Sequence, residues 1–402
     1  MMKNRHWWIL LSAFLTACHQ PDDKERVLSF TGRDASCPFI TSTTDGKIVV
    51  SWIETEGGAD TGLIYYAVSE DKGRSFSTAL PVPESRGVLP HAENMPKIVF
   101  KPDGEIIAMY GVEQNDARNK YAGRVFYTRS LDNGKTWLPA KPLVTDTGSY
   151  DQRYFDMALL SNGEAAAIWL DNRKETEDEG STLYFAVTEG HNGFKQERPV
   201  AQTVCQCCRT DLYTDDSGAV HIAFRDIIND SIRDMVHTVS TDGGASFTPL
   251  KRISADNWIV RGCPHTGPAM VKNSEGLHFA WFTMGGGQGV FYCRSMDNGT
   301  TYTHKEQVST VPMAKHPQIT GVGNEQVMMV WDEPVKMGKT FNSRIGFQVR
   351  KGTGEVLRTG TLTADSLYVT FPVIKGVDKH TALIAYTKRT GESEQVCYRL
   401  FE

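Results

Sequence analysis

Short apolar stretches recur in pairs along this chain, with a polar turn between the two members of each pair. Residues 38–40 precede residues 48–50 in this way, and residues 98–100 precede residues 106–108. The stretches are rich in Val, Ile and aromatic residues and are shorter than most helices, which favours β-strands. Similar stretches follow at residues 157–159, 166–168, 212–213, 220–222, 328–331 and 382–386. The pattern predicts an all-β chain of seven four-stranded units with a period of about 55 residues.

Four octets within these units share one motif, Ser-x-Asp-x-Gly-x-(Ser or Thr)-aromatic. They occupy residues 69–76, 130–137, 240–247 and 295–302, and a degenerate fifth copy spans residues 188–194. In such a turn the Asp side chain accepts backbone N–H groups, and the Gly adopts a positive φ. With four copies in phase, the chain resembles the sialidase-like Asp-box (BNR) β-propeller superfamily over nearly all of its mature length.

The resemblance implies a β-propeller whose four-stranded blades carry Asp-box turns. We count seven blades; six blades with a long insertion is the alternative, because many sialidases have six. The last unit ends at Glu402 with three strands, so residues 26–30 are expected to supply its fourth strand and close the ring. The sequence shows no linker after residue 30, and a single domain over residues 26–402 is therefore expected.

Residues 1–18 have the organisation of an export signal. Two basic residues precede an apolar core at residues 7–14, which is too short to span a bilayer. The core ends in Leu-Thr-Ala-Cys, which resembles the lipobox of bacterial lipoproteins. That resemblance implies lipidation of Cys18, a polar tether over residues 19–25, and anchoring in the bacterial cell envelope, at the periplasmic or outer surface of the outer membrane. An ordinary signal peptide with an incidental Cys18 is the alternative.

Composition and charge narrow the range of partners. Thirty-six Gly and 17 Pro among 402 residues agree with the many turns of such a fold. The formal net charge of −5 gives no electrostatic reason to expect binding to nucleic acid. The expected partners are therefore the membrane, through the lipid anchor, a small molecule, glycan or metal in a central pocket, and a second protein.

Cysteines and histidines gather at equivalent positions, just before the first strand of successive units. These positions hold five of the eight cysteines and three of the eleven histidines. In propellers of this kind such residues converge around the central axis, on the face opposite the Asp boxes. The residues concerned are Cys37, His91, Cys205, Cys207, Cys208, Cys263, His265 and His316.

Three interpretations of this cluster remain open. Thiolates and imidazoles bind transition metals, and a cysteine-rich set favours copper or zinc over calcium or magnesium. Disulfide bonds are the second interpretation, because an exported protein meets an oxidising compartment. Five axial cysteines cannot all pair with one another, and Cys293 and Cys397 are expected to be buried inside strands. A redox-active thiol is the third interpretation.

Glycoside hydrolysis is the alternative function that the resemblance implies. Sialidases bind a sugar carboxylate with arginines and use an Asp acid with a Tyr–Glu nucleophile pair. The matching candidates here are Arg153, Arg209, Asp151, Asp171 and Tyr154. The chain departs from the family at residues 33–38, which read Arg-Asp-Ala-Ser-Cys-Pro where the family has (Phe or Tyr)-Arg-Ile-Pro.

A propeller that only binds a glycan or a protein is a third function, since fold by itself does not decide function. Among the three, we favour a central pocket that binds a transition metal or does thiol chemistry. Sialidase-like hydrolysis stands second. If the chain is an enzyme, it is expected to be a sialidase-like glycoside hydrolase or a metal-dependent enzyme.

Overall fold

The computed structural model describes residues 24–173 and 179–402, so the export signal, Cys18 and most of the tether lie outside the described residues. The described chain is built from β-strands, which confirms the predicted all-β class. Its helical content consists of 3₁₀ turns at Pro83–Ser85, Ala92–Asn94 and Gly190–Asn192. Within the described ranges, no helix has the length and apolar character that crossing a bilayer requires.

The strands follow one another in antiparallel sets, in the chain order that the apolar pairs predict. The N-terminal strand β1 (Arg26–Val27) precedes all the sets. The first set is β2 (Asp34–Ser42), β3 (Ile48–Thr55), β4 (Leu63–Ser69) and β5 (Leu80–Val82). The second set is β6 (Lys97–Phe100), β7 (Ile106–Glu113), β8 (Gly123–Ser130) and β9 (Lys141–Pro142).

The third and fourth sets belong to one hydrogen-bonded sheet, joined by a pair between Val204 and Asp226. The third set is β10 (Gln152–Leu159), β11 (Ala165–Asp171), β12 (Ser181–Thr188) and β13 (Phe194–Val204). The fourth set is β14 (Asp211–Thr214), β15 (Val220–Ile228), β16 (Ile232–Ser240) and β17 (Lys251–Arg252). The fifth set is β18 (Ala269–Asn273), β19 (Gly276–Thr283), β20 (Gly289–Ser295) and β21 (Glu306–Gln307).

The last strands form a second large sheet, which also includes β1. The sixth set is β22 (Lys315–Val322), β23 (Gln326–Met337), β24 (Thr340–Lys351) and β25 (Val356–Thr361). The final group is β26 (Tyr368–Gly376), β27 (Ala382–Thr390) and β28 (Ser393–Phe401). Among the described residues the hydrogen-bonded sheets stay open, and none closes on itself.

The N-terminal segment joins the last group of strands to the first set. Strand β1 pairs antiparallel with β28, which is the pairing that the sequence predicts. Just before it, the carboxylate of Glu25 accepts hydrogen bonds from Tyr386 and Lys388 of β27. Just after it, the backbone N–H of Phe30 donates to the carboxylate of Glu54 in β3 at 2.9 Å.

The core lies between neighbouring sets. Every residue of β11 is buried, and so are all but the last of β3, because the second strand of a set is covered on both faces. This covering explains why the second strands read as continuous apolar runs in the sequence. Trp52, Ile98 and Leu383 belong to one buried cluster, so the final group packs against the first set.

The Asp-box octets form the predicted turns after the third strand of their sets. In the second octet, the backbone N–H of Thr136 donates to Asp132 Oδ1 at 2.9 Å, and that of Gly134 donates to Ser130 Oγ at 2.8 Å. Gly134 has a φ of 84°, which Gly adopts without steric cost. The same bonds to an Asp side chain recur at Asp71, Asp242 and Asp297. The degenerate copy at residues 188–194 also turns the chain, through a 3₁₀ turn.

The first strands of four sets carry a β-bulge at the axial positions. Cys37, Tyr154, His316 and Phe371 each lie at a shift of strand register, with φ between 51° and 59°. Residues other than Gly seldom adopt this left-handed conformation. A bulge breaks the alternation of a strand and redirects the side chain. Cys37 and His316 therefore stand inside the first strands, and not in front of them as the sequence predicts.

Candidate functional site

A cavity of about 1020 Å³ opens at the end of the strands opposite the Asp boxes. Six of the predicted site residues line it: His91, Arg153, Tyr154, Cys207, Cys263 and His265. The loop between β7 and β8 contributes Arg118, Lys120 and Tyr121 to the wall. The volume is at the upper end of the range that is typical of small-molecule sites.

Three cysteines meet beside this cavity. The Sγ atoms of Cys205, Cys207 and Cys208 lie within 4.8 Å of one another, and Cys205 Sγ is 3.7 Å from each of the other two. All three residues are buried, and Cys207 reaches the cavity. The backbone N–H of Cys208 donates to the carbonyl oxygen of Cys205, so the segment forms a turn. In this turn the side chains converge, whereas in a strand they would alternate.

The surroundings of the three thiols favour the ionisation of one of them to a thiolate. Hydrogen bonds from Cys207 and Cys208, together with the charges of Arg225 and Arg233, lower the pKa of the Cys205 thiol. Arg233 Nη1 lies 3.4 Å from Cys205 Sγ. Burial raises the pKa of the Cys208 thiol. Cys205 is therefore the sulfur that ionises first, and the thiolate is the form that binds metals or attacks as a nucleophile.

His91 and His265 lie in the same cavity wall, outside the group of three thiols. The His91 ring packs edge-on against Tyr154 with 5.7 Å between ring centroids, and its buried Nδ1 has no hydrogen-bond partner among the described residues. Burial lowers the pKa of His91; Glu93 opposes this effect, and the charges of His265 and Arg153 add to it. His91 is therefore a neutral imidazole at neutral pH, with one ring nitrogen free to act as a ligand.

Cys37 and His316 occupy the bulges of β2 and β22 and are not among the described residues that line the cavity. Burial raises the pKa of the Cys37 thiol to about 12. His316 Nδ1 lies 2.8 Å from a carboxylate oxygen of Asp332, and its ring stacks on Phe371 with centroids 4.1 Å apart. Burial works to lower the pKa of His316, but the Asp332 carboxylate raises it overall. The structure therefore separates these two residues from the three buried thiols.

Asp151, one of the two acids suggested by the sequence, is held by the scaffold. It is buried and accepts hydrogen bonds from Asn119 at 2.8 Å, from the backbone N–H of Gly123 at 3.0 Å and from Arg153 at 2.7 Å. Both carboxylate oxygens of Asp151 therefore accept hydrogen bonds. The same contact neutralises Arg153, whose side chain lines the cavity.

Asp171, the second suggested acid, belongs to a structural repeat. It accepts from Trp169 Nε1 at 3.1 Å and from Arg173 at 2.7 Å, and it is buried. The same trio of indole, carboxylate and guanidinium occurs in the first and sixth sets. Its members there are Trp52, Glu54 and Arg33, and Trp331, Glu333 and Arg344. The Trp-x-acid pair lies in the second strand of each of these sets, while the arginine comes from a different segment each time. This recurrence indicates that Asp171 holds the end of β11 in place.

Arg209 and Tyr154 are also tied to the interior. Arg209 Nη1 lies 3.0 Å from Glu93 Oε1, and Nη2 donates to the carbonyl oxygen of Pro317 at 3.1 Å. The arginine is buried, and it does not line the cavity with Arg153. Burial raises the pKa of the Tyr154 hydroxyl, which keeps the phenol neutral. The structure therefore does not bring Arg153 and Arg209 together as a pair of free cations.

Comparison with known proteins identifies the family of this chain. A family model described as a BNR repeat-like domain matches residues 54–261, which is more than half of the chain. The chain belongs to the BNR repeat-like family. No curated protein matches the sequence.

Solved structures resemble this BNR repeat-like protein along most of their length. A protein of unknown function from Dyadobacter fermentans has 14% identity and a TM-score of 0.52, with 94% of this chain and 97% of that one covered. The NanB sialidase of Streptococcus pneumoniae has 10% identity and a TM-score of 0.51, with 94% and 70% covered. The intramolecular trans-sialidase of Ruminococcus gnavus has 8% identity and a TM-score of 0.51, with 92% and 94% covered. At such identities the likeness shows the fold alone.

Sequence reasoning missed several residues of the site in this BNR repeat-like chain. Arg233, 28 residues from Cys205, reaches its sulfur only because β15 and β16 form a hairpin. Glu93 reaches Arg209 across 116 residues. No local pattern marks either contact. The Trp-x-acid triplets are different, because their recurrence in three units is visible in the sequence and indicates a structural role for Asp171.

Proposed function

We propose that the cavity binds a thiophilic transition metal, copper(I) or zinc, through Cys205, Cys207 and Cys208. The separation of the sulfur atoms carries this proposal. In a tetrahedral site with metal–sulfur bonds of about 2.3 Å, two ligands lie about 3.8 Å apart. Cys205 Sγ lies 3.7 Å from the Sγ atoms of Cys207 and Cys208. Such soft ligands favour copper(I) or zinc over calcium or magnesium.

The surroundings of the sulfurs fit a metal as well. Metal binding replaces thiol protons and leaves negative charge on buried sulfur. Arg233 contacts Cys205 Sγ at 3.4 Å and offsets that charge, with Arg225 buried nearby. Cys207 faces the cavity, so an ion can reach the thiols from solvent.

Metal analysis of the full chain, purified under nitrogen without chelators, tests this function. We expect about one equivalent of copper or zinc in the wild type and about tenfold less in Cys207→Ala, which lacks one ligand. Cys397→Ala is the matched control, because Cys397 is buried in β28 among apolar residues, and it should keep the metal. A wild-type chain with less than about a tenth of an equivalent would refute the proposal.

Hydrolysis of an acidic glycan is the competing function. Two observations support it: Arg153 and Tyr154 lie in the cavity wall, and the structural neighbours include a sialidase. Turnover of a fluorogenic sialoside that is lost in Arg153→Ala and kept in Cys207→Ala would favour hydrolysis. Binding of a glycan or protein without turnover and without metal would favour a non-catalytic propeller.

We also propose that the antiparallel sets are the seven blades of one propeller. Strand β1 would then be the outer strand of the last blade and would close the ring. The pairing of β1 with β28 and the shared core of Trp52 and Leu383 support this arrangement. An experimental structure with any other number of sets around the axis would refute the count.

We further propose that the protein is a lipoprotein of the bacterial envelope, anchored in the outer membrane through Cys18. The support lies in the sequence: two basic residues, the apolar core at residues 7–14, and the Leu-Thr-Ala-Cys segment. An exported position agrees with a site that takes its metal from outside the cytoplasm.

A further inference from the structure

The cavity wall also carries imidazole and thiol side chains outside the cluster of three cysteines. His91 and His265 both line the cavity, and Cys263 lies two residues before His265 on the same loop. Among the described residues, the closely spaced thiol ligands are Cys205, Cys207 and Cys208. His91, His265 and Cys263 do not belong to that cluster. The imidazoles therefore form a separate part of the wall.

His91 shows the clearest sign of a missing partner. Its Nδ1 is buried and has no hydrogen-bond partner among the described residues. Buried polar atoms are nearly always satisfied by protein, water or a ligand. The ring of Tyr154 packs edge-on against the imidazole at 5.7 Å and holds its plane in one orientation. The Nδ1 atom of His91 is thus a fixed ligand atom that no described residue engages.

His265 reaches the cavity from the segment between β17 and β18. Its φ of 51° lies in the left-handed region, which residues other than Gly adopt mainly where their surroundings hold them there. Tyr154 and His316 have the same conformation at their bulges. The cavity of about 1020 Å³ leaves space for an ion with water ligands beside the two imidazoles.

We propose that His91 and His265 form a second metal position in the cavity, which takes a borderline divalent ion such as Zn²⁺. In this arrangement the buried thiols of Cys205, Cys207 and Cys208 bind the softer ion, copper(I). Imidazole is a preferred ligand of Zn²⁺, and water completes its coordination. This inference deepens the proposed function, on whose cavity it rests, but it depends on different side chains.

Titration of the copper(I)-loaded full chain with Co²⁺ under nitrogen tests the second position. Co²⁺ stands in for Zn²⁺ and reports its ligands by absorption. The wild type should bind about one equivalent, and His91→Ala and His265→Ala should each weaken Co²⁺ binding about tenfold or more, with unchanged copper content. His304→Ala is the control, because His304 is exposed after the fourth Asp box.

The outcomes separate this inference from the proposed function. Equal Co²⁺ affinity in the wild type and in both folded histidine variants would overturn the inference. A thiolate charge-transfer band that disappears in Cys207→Ala would also overturn the inference, because Co²⁺ would then be bound by the buried thiols. Loss of copper(I) in Cys207→Ala with retained Co²⁺ supports two positions. The wild type could instead bind Co²⁺ through the histidines and take up no copper(I). That result would refute the proposed function for copper and would still support the second metal position.

Discussion

At the scale of single residues, the pair formed by Arg209 and Glu93 connects distant parts of the chain. Both side chains are buried, and Arg209 Nη1 lies 3.0 Å from Glu93 Oε1. The other carboxylate oxygen of Glu93 accepts the backbone N–H of Gly267 at 3.1 Å. Removal of one partner from such a pair leaves an uncompensated charge in the interior, which costs more than the pair itself contributes.

Arg209→Met should therefore lower the free energy of unfolding by about 3–5 kcal/mol, measured by urea denaturation. The double variant with Glu93→Gln should recover part of the loss, because no unpaired carboxylate remains. An unfolding free energy within about 1 kcal/mol of the wild type in the single variant would contradict the role of this pair.

At the scale of elements, each Asp box is a turn held by one carboxylate. Hydrogen bonds from the backbone and hydroxyl of Thr136 and from Ser130 lower the pKa of Asp132 from 3.8 to about 2. A carboxyl whose pKa is lower in the folded state stabilises that state when it is ionised. The stabilisation is complete above the unfolded value of 3.8 and is lost as the pH falls towards 2.

Asp132→Ala should lower the stability of the protein at pH 7, and its difference from the wild type should narrow as the pH falls from about 4 to about 2. Urea midpoints at pH 7 and at acid pH measure this difference. Asp216→Ala is the control, since Asp216 is exposed in the turn between β14 and β15. A difference that stays constant with pH would show that the Asp132 charge does not hold the turn.

At the scale of the whole molecule, the N-terminal segment ties the domain to its proposed anchor. Residues 19–25 separate Cys18 from β1, which is already paired with β28. Seven extended residues span about 25 Å at most. A lipid on Cys18 would therefore hold the β-domain close to the bilayer surface.

Cys18→Ser should move the protein from the membrane fraction to the soluble fraction. Each buried CH₂ of the acyl chains contributes about 0.8 kcal/mol to membrane binding, and the variant cannot carry those chains. Detergent phase partitioning of the full chain measures the effect, with His19→Ala as the control. A Cys18→Ser protein that still partitions with detergent would argue for another anchor.

Much of the fold, and part of the site, could be predicted from the sequence. Each Asp box forms through bonds within eight residues, so its motif predicts its turn. The six predicted residues in the cavity wall follow from their equivalent places in the repeats. Asp171 is different, because an acid at a strand end looks the same whether it contacts a ligand or the indole of Trp169. Cys37 and His316 share the axial position but face other neighbours.

The sequence by itself determined the all-β class, the places of the turns and the presence of thiols and imidazoles at the start of successive sets. These features depend on local hydrogen bonding and on the burial of short apolar strands. Only the tertiary structure decided which of the side chains meet. The turn at Cys205 and the bulge at Tyr154 set their directions, and the pairing of distant strands brings Arg233 to Cys205. Such contacts arise between residues whose separation along the chain carries no local signal.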